Sequence, residues 1–219
     1  MAFQLRTGLV YTACQDDIIL LDLKQDRYFA VPRPLHSAFR TLVEQGGEDA
    51  LARERLSFIL DPVGPVQSDR PATPPRANIA PLGGQLAPAQ GWPSLPRLTS
   101  AFRYRAISAL WLRFASLHHI IERIERKKRC LAGRRMRLDD AALIASAFDR
   151  IAPLFPIKDR CMSMAIGLMM AMLRRQVPAT LVIGVRTAPF SAHCWVEVEG
   201  LLVNGDLDTV RPFTPILIV

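Results

Sequence analysis

Cysteine is scarce in this sequence of 219 residues, and none of its four cysteines forms a CxxC pair. Cys14, Cys130, Cys161 and Cys194 are too dispersed for a disulfide framework or for a recognisable zinc-ligand spacing. No bound metal is expected. Long apolar runs are missing too. The longest, CMSMAIGLMMAML (161–173), has the length of a buried helix and falls well short of the ~20 residues that span a bilayer. The opening MAFQLRTGLVYTACQDD lacks the charged-then-apolar layout of a secretory signal, so a cytoplasmic location is expected. There is no P-loop.

Acidic residues are in deficit. Against 28 Lys and Arg stand 20 Asp and Glu, for a net charge of +8. The excess is local: RIERKKRCLAGRRMR (123–137) holds eight basic residues and one acidic one. Such a run is either a solvated helix end and loop or an attractor for nucleic acid, an anionic membrane or an acidic peptide. Residues 1–60 are not notably basic, and LVEQGGEDALARER offers no basic recognition helix, so nucleic-acid binding is not expected. With 50% hydrophobic residues, the chain is able to bury a real core.

Proline divides the chain. Nine of the seventeen prolines fall in residues 62–96, with glycines at 64, 83, 84 and 91. Proline removes backbone donors and fixes φ, so a semi-extended linker without regular elements is expected there. Residues 1–61 read as a small β-then-α domain. GLVYTAC (8–14), DIILLDL (17–23) and RYFAVP (27–32) have strand character, and helices follow in PLHSAFRTLVEQGG (34–47) and EDALARERLSFILD (48–61). Residues 97–219 read as helices and then strands. One long helix is expected from Thr99 or Ser100 to about Lys128, with Phe102, Ile107, Leu110, Phe114, Leu117, Ile121 and Ile124 as its apolar stripe. RLDDAALIASAFDRIAPLF (137–155) and KDRCMSMAIGLMMAMLRRQ (158–176) are further helices. The period then changes to two. TLVIGVRT (180–187), AHCWVEVE (192–199) and LLVNGDL (201–207) read as strands, the last two joined by a tight turn at Glu199–Gly200. The fold class is α+β.

Two places carry chemistry. Asp159 is a natural N-cap, which puts Cys161 in the first turn of an apolar helix. There the helix dipole, with Lys158 and Arg160, favours a thiolate; a buried structural cysteine is the other reading. Along AHCWVEVE, alternation sets His193, Trp195 and Glu197 on one face and Cys194, Val196 and Val198 on the other. Cys194 therefore reads as packing, and His193 and Cys194 do not form a metal or catalytic pair. A two-residue turn at Glu199–Gly200 places Val203 opposite Val196, Asn204 opposite Trp195 and Asp206 opposite His193. Asp206 is then the carboxylate that orients the imidazole, with Asp208 the alternative if the strand bulges at Asn204–Gly205. Trp195 walls the site. A helix-start cysteine, a strand histidine and an acid on the next strand are the parts of acyl transfer through a thioester. His118–His119 with Glu122, the Met-rich run 162–172 and Trp111 read as structure.

These residues resemble a known family. Cys161 at a helix start, the Ile183–Gly184–Val185 strand, Phe190 through Glu197, Gly200 and Val203–Asn204 are similar to the lasso-peptide B proteins. Those are leader peptidases with a transglutaminase-like (papain-like) fold, and the likeness covers roughly residues 155–215. In element order, residues 1–61 resemble the winged-helix-like PqqD-like precursor-recognition element, where a leader peptide adds a strand to a sheet edge. The resemblance implies a fused B protein. Residues 1–61 would recognise the leader through Tyr28, Phe29, Ala30 and Val31, residues 62–96 would link, and residues 97–219 would be the cysteine peptidase. It implies Cys161 as nucleophile and His193 as general base. Where members of the family place the acid, this chain has Gly205, so Asp206 is taken from cross-strand geometry and Asp208 second. It also implies two partners, a lasso-peptide precursor and an asparagine-synthetase-like lasso cyclase. No cofactor is expected on this chain, and any ATP dependence belongs to the cyclase. Another acyltransferase on the same fold and a non-enzymatic binder are the alternatives.

Overall fold

Four consecutive aliphatic residues in DIILLD leave neither face of that strand suited to solvent, and the fold covers both. The computed structural model describes residues 5–44, 50–60, 82–130, 138–155 and 160–219. In it β1 (Leu9–Cys14), β2 (Asp17–Asp22) and β3 (Arg27–Ala30) form an antiparallel meander in chain order. Val10 pairs with Leu21 and Leu21 with Tyr28, so these three share a face, while Tyr11, Leu20 and Phe29 share the other. The second face packs beside α1 (His36–Glu44) and α2 (Ala50–Arg55) in a core that includes Tyr11, Leu20, Phe39, Leu42, Leu56 and Ile59. Tyr11 meets Phe39 edge-on, with ring centroids 5.0 Å apart. The first face, through Cys14, Ile19 and Leu21, joins the main core of the rest of the chain.

The helix expected over 99–128 is two helices. α3 (Leu95–Phe114) begins inside the expected linker, with Ser94 at its N-cap and Pro96 in its first turn. α4 (Leu117–Arg129) follows after Ala115–Ser116. The break has a tertiary cause. Asp26, between β2 and β3, accepts the Leu117 N–H at 2.8 Å, and the Leu23 carbonyl accepts the His118 N–H at 2.8 Å. The N-terminal sheet thus satisfies two donors that a helix start leaves orphaned.

The apolar stripe of α3 also differs from expectation. Phe102, Leu110 and Phe114 are exposed, and Ala101, Arg105 and Ser108 face inward. α3 runs close against α6 (Arg160–Arg174), which selects small residues at the contact. Ser108 Oγ donates to the Ser163 carbonyl at 2.6 Å, and a Cβ on Gly167 would lie 3.1 Å from the Tyr104 carbonyl. On α4, Leu117, Ile121 and Ile124 are buried as the periodicity requires.

α5 (Leu138–Ile151) and α6 share the main core with one face of a five-stranded sheet, ordered β4-β7-β6-β5-β8. β5 (Thr180–Thr187), β6 (Phe190–Val198), β7 (Leu201–Leu202) and β8 (Thr214–Ile218) are antiparallel neighbours, and β4 (Gly84–Gln85) runs parallel to β7. β4 lies in the proline-rich stretch where no element was expected. Gly84 and Gln85 pair with Leu201 and Leu202, and Leu86 N–H donates to the Leu202 carbonyl at 2.8 Å. The strand expected over 201–207 stops at Leu202. Gly205, at φ +91°, turns the chain into the short helix α7 (Leu207–Val210). β8 was not anticipated, although TPILI has strand composition. Asp159 and Lys158, the expected start of α6, and Arg134, Arg135 and Arg137 of the basic run lie outside the described residues.

Candidate active site

The hairpin that sets the site forms at the expected place. Glu199 (φ +50°) and Gly200 (φ +74°) are both left-handed, as a two-residue type I′ turn requires. Val198 pairs with Leu201 and Glu197 with Leu202, and Val203 N–H donates to the Val196 carbonyl at 2.9 Å. The ladder then ends on a side chain: Asn204 Oδ1 accepts the Val196 N–H at 2.7 Å.

β6 divides its residues between two environments. Cys194, Val196 and Val198 are buried in the core shared with α6. Burial pushes the Cys194 thiol well above its ordinary pKa, and nearby Cys161 acts in the same direction. Cys194 is therefore a protonated packing residue. On the opposite face, Trp195 lies among Val182, Leu202, Val210 and Phe213. Its Nε1–H donates to Glu197 Oε1 at 2.7 Å, and the Glu197 carboxyl, pushed up by burial, is partly held down by that bond. The indole crosses Gly184. A Cβ there would lie 2.7 Å from the Trp195 ring and 2.9 Å from Phe213 Cβ, so only glycine fits between Ile183 and Val185.

His193 is half-buried on this face. Its ring is stacked with Trp195, centroids 6.3 Å apart, and tilted against Phe213 at 5.4 Å. Burial lowers its pKa, which favours the neutral imidazole. Trp195 stands beside it, where the sequence placed a wall. Phe213 is a site neighbour that sequence reasoning missed, since RPF carries no periodic signal.

Cys161 is half-buried in the first turn of α6, the helix that packs on β6. It lies within electrostatic reach of Cys194 and of Tyr28 from β3. Asp206 is exposed at the N-cap of α7 and makes no side-chain cap bond. Asp208 is exposed and paired with Arg211 at 3.1 Å. Among the described residues, no hydrogen bond joins His193 to Cys161, Asp206 or Asp208. Of the strand expected to take the leader, Phe29 and Val31 pack in the N-terminal core, Ala30 is exposed, and Tyr28 points toward the main core. Among the described residues β3 is an edge strand, with β2 on one side and no strand on the other.

The remaining candidates fall elsewhere. His118 pairs with Glu122 at 3.3 Å and His119 with Ser116 at 2.8 Å; no metal-ligating cluster occurs among the described residues. Arg123, Arg126, Lys127 and Arg174 line an open cavity of about 570 Å³ at the other end of α6 from Cys161. None of the described helices is long and apolar enough to cross a membrane.

Comparison with known proteins agrees with this architecture. Over 70 residues the chain is 36% identical to the Microcin J25-processing protein McjB of Escherichia coli, covering 31% of this chain and 34% of that protein. The match thus spans about a third of that relative's length. No solved structure matches. The family model described as the Transglutaminase-like superfamily matches residues 106–218, from the middle of α3 through β8. That is more than half of the chain and takes in Cys161, His193 and Asp206, and the chain belongs to the transglutaminase-like superfamily.

Proposed function

We propose that this chain is a cysteine peptidase that removes the leader from a ribosomally made lasso-peptide precursor. The observation that carries the reading is Cys161 in the first turn of α6, packed against the strand that bears His193, within a transglutaminase-like domain. Partial likeness to a microcin-processing protein supports the substrate class. In this reading His193 takes the proton of the Cys161 thiol as its sulfur attacks the scissile carbonyl carbon and the carbonyl electron pair moves to oxygen. Collapse of that intermediate breaks the C–N bond, and the His193 imidazolium gives its proton to the departing amine. A thioester to the leader remains. His193 then takes a proton from water, whose oxygen displaces sulfur and leaves a leader carboxylate.

Asp206 is the proposed acid. Its rival Asp208 is committed to Arg211, whereas Asp206 has no competing partner among the described residues. The leader is proposed to add as a strand along the unpaired edge of β3, at Tyr28, Phe29, Ala30 and Val31, as in PqqD-like recognition elements. An asparagine-synthetase-like lasso cyclase would consume the freed α-amine, and any ATP requirement would act there.

The test is to incubate the chain with the precursor encoded beside its gene, the cyclase and ATP, and to follow products by intact mass. Leader released with a free carboxylate by wild type, and lost by about 10³-fold or more in Cys161→Ala, is expected. Cleavage by Cys161→Ala at the wild-type rate defeats the assignment. A leader joined to an added amine in place of water would mark an acyltransferase. Asp206→Asn, run beside Asp208→Asn, identifies the acid.

A further inference from the structure

Tyr28 turns away from the N-terminal core. Its pairing with Leu21 puts it on the face that meets the rest of the chain. Its ring packs on Phe190 at the start of β6, centroids 5.6 Å apart, in the cluster that holds Cys194, Ala192 and Met162. A tyrosine ring in such a place is ordinary. Its hydroxyl is not, because the oxygen is buried and has no hydrogen-bond partner among the described residues. Buried polar groups are normally hydrogen-bonded, and phenylalanine would fill this space without an orphaned hydroxyl. The missing partner is therefore to be sought outside the chain.

The surroundings indicate its chemistry. Burial first, then Cys194 and Cys161, then Asp26 raise the phenol's pKa, so the group remains an O–H donor. It sits within electrostatic reach of the Cys161 thiol. A donor that shares a cluster with Met162, the neighbour of Cys161, suits an oxygen on which negative charge accumulates. The position is also rigid. Asp26, two residues before Tyr28, caps α4, and Leu23 bonds to the same helix start.

We propose that Tyr28 is a catalytic residue supplied by the N-terminal sheet, its hydroxyl donating a hydrogen bond to the carbonyl oxygen that Cys161 attacks. This rests on the peptidase reading above. The strand that would receive the leader then also supplies a donor to the reaction, so the N-terminal unit completes the active site as well as capturing substrate.

Tyr28→Phe keeps the ring and its contact with Phe190 and removes the hydroxyl alone. Wild type and Tyr28→Phe are compared in steady-state cleavage of the precursor. Leader affinity is read by fluorescence anisotropy in the Cys161→Ala background, and Tm is measured for each. The expected result is a fall in kcat of about 100-fold, with KM and leader Kd within about twofold and Tm unchanged or higher. Wild-type kcat in Tyr28→Phe overturns the proposal. So does an effect confined to KM or leader Kd, which would make the Tyr28 hydroxyl a leader-binding group with no part in the chemistry. A wild type that cleaves no better than Cys161→Ala is a separate failure, in which the peptidase reading falls and this assignment with it.

Discussion

The two faces of β6 have the same backbone and opposite tasks. On one, Cys194, Val196 and Val198 fill core against α6, and burial keeps the Cys194 thiol protonated. On the other, His193, Trp195 and Glu197 place polar atoms in a partly apolar environment. There a buried carboxyl needs an indole N–H, and the imidazole loses basicity to desolvation. A cysteine adjacent to a histidine in sequence is therefore a packing residue, while the thiol proposed as nucleophile comes from a helix more than thirty positions earlier. Adjacency along a strand separates side chains rather than joining them.

The largest expected effect separates the faces directly. His193→Gln should abolish leader release by about 10³-fold or more, while Cys194→Ala keeps the rate within about threefold and costs about 1 kcal/mol of stability. Intact-mass kinetics with urea melts of both variants would show it; a Cys194→Ala protein without activity would break the division. Gly184→Ala comes next, because the new methyl meets the Trp195 ring at 2.7 Å. It should destabilise the fold by about 1–3 kcal/mol in urea unfolding. A neutral result would mean that the indole shifts freely. Asn204→Ala leaves the Val196 N–H buried without its 2.7 Å acceptor, and a loss of about 1–2 kcal/mol is expected on the same assay.

The smallest effect is on pH dependence. His193 has a folded pKa below the ordinary histidine value of 6.5, so the unfolded chain binds the proton more readily. The stability held by the neutral ring is complete above about pH 6.5 and is lost as the pH falls from there through the folded value. Urea melts from pH 7.5 to about 5 should show this slope in wild type and a flatter one in His193→Gln. The acid limb of kcat/KM should likewise fall below the ordinary histidine range. An acid limb above it would mean that a carboxylate, and not burial, governs the imidazole.

Much of this arrangement is legible in the residues. GLVYTAC, DIILLD and RYFA form strands because aliphatic and aromatic residues suit a pleated surface, and the Glu199–Gly200 turn fixes the β6–β7 register as far as Val203. Beyond it the pairing reading fails. Asn204 substitutes its side chain for a ladder partner, Gly205 reverses the chain, and Asp206 ends exposed at a helix start. Helical periodicity misled at α3, where close approach to α6 turned Ala101 and Ser108 inward and left Phe102, Leu110 and Phe114 outside. Nothing in the sequence signalled that Asp26 would cap a helix ninety residues away.

The sequence by itself determined the three strands of the N-terminal meander, the turn at residues 199–200, the two faces of β6 and the helix-start setting of Cys161, because each depends on local periodicity or local backbone chemistry. Only the tertiary structure decided that the N-terminal sheet shares a core with the transglutaminase-like domain, that α3 and α4 are separate helices, and that Tyr28 lies within electrostatic reach of Cys161. Those outcomes depend on contacts between distant residues, whose geometry exists only once the two sheets and the helices have packed.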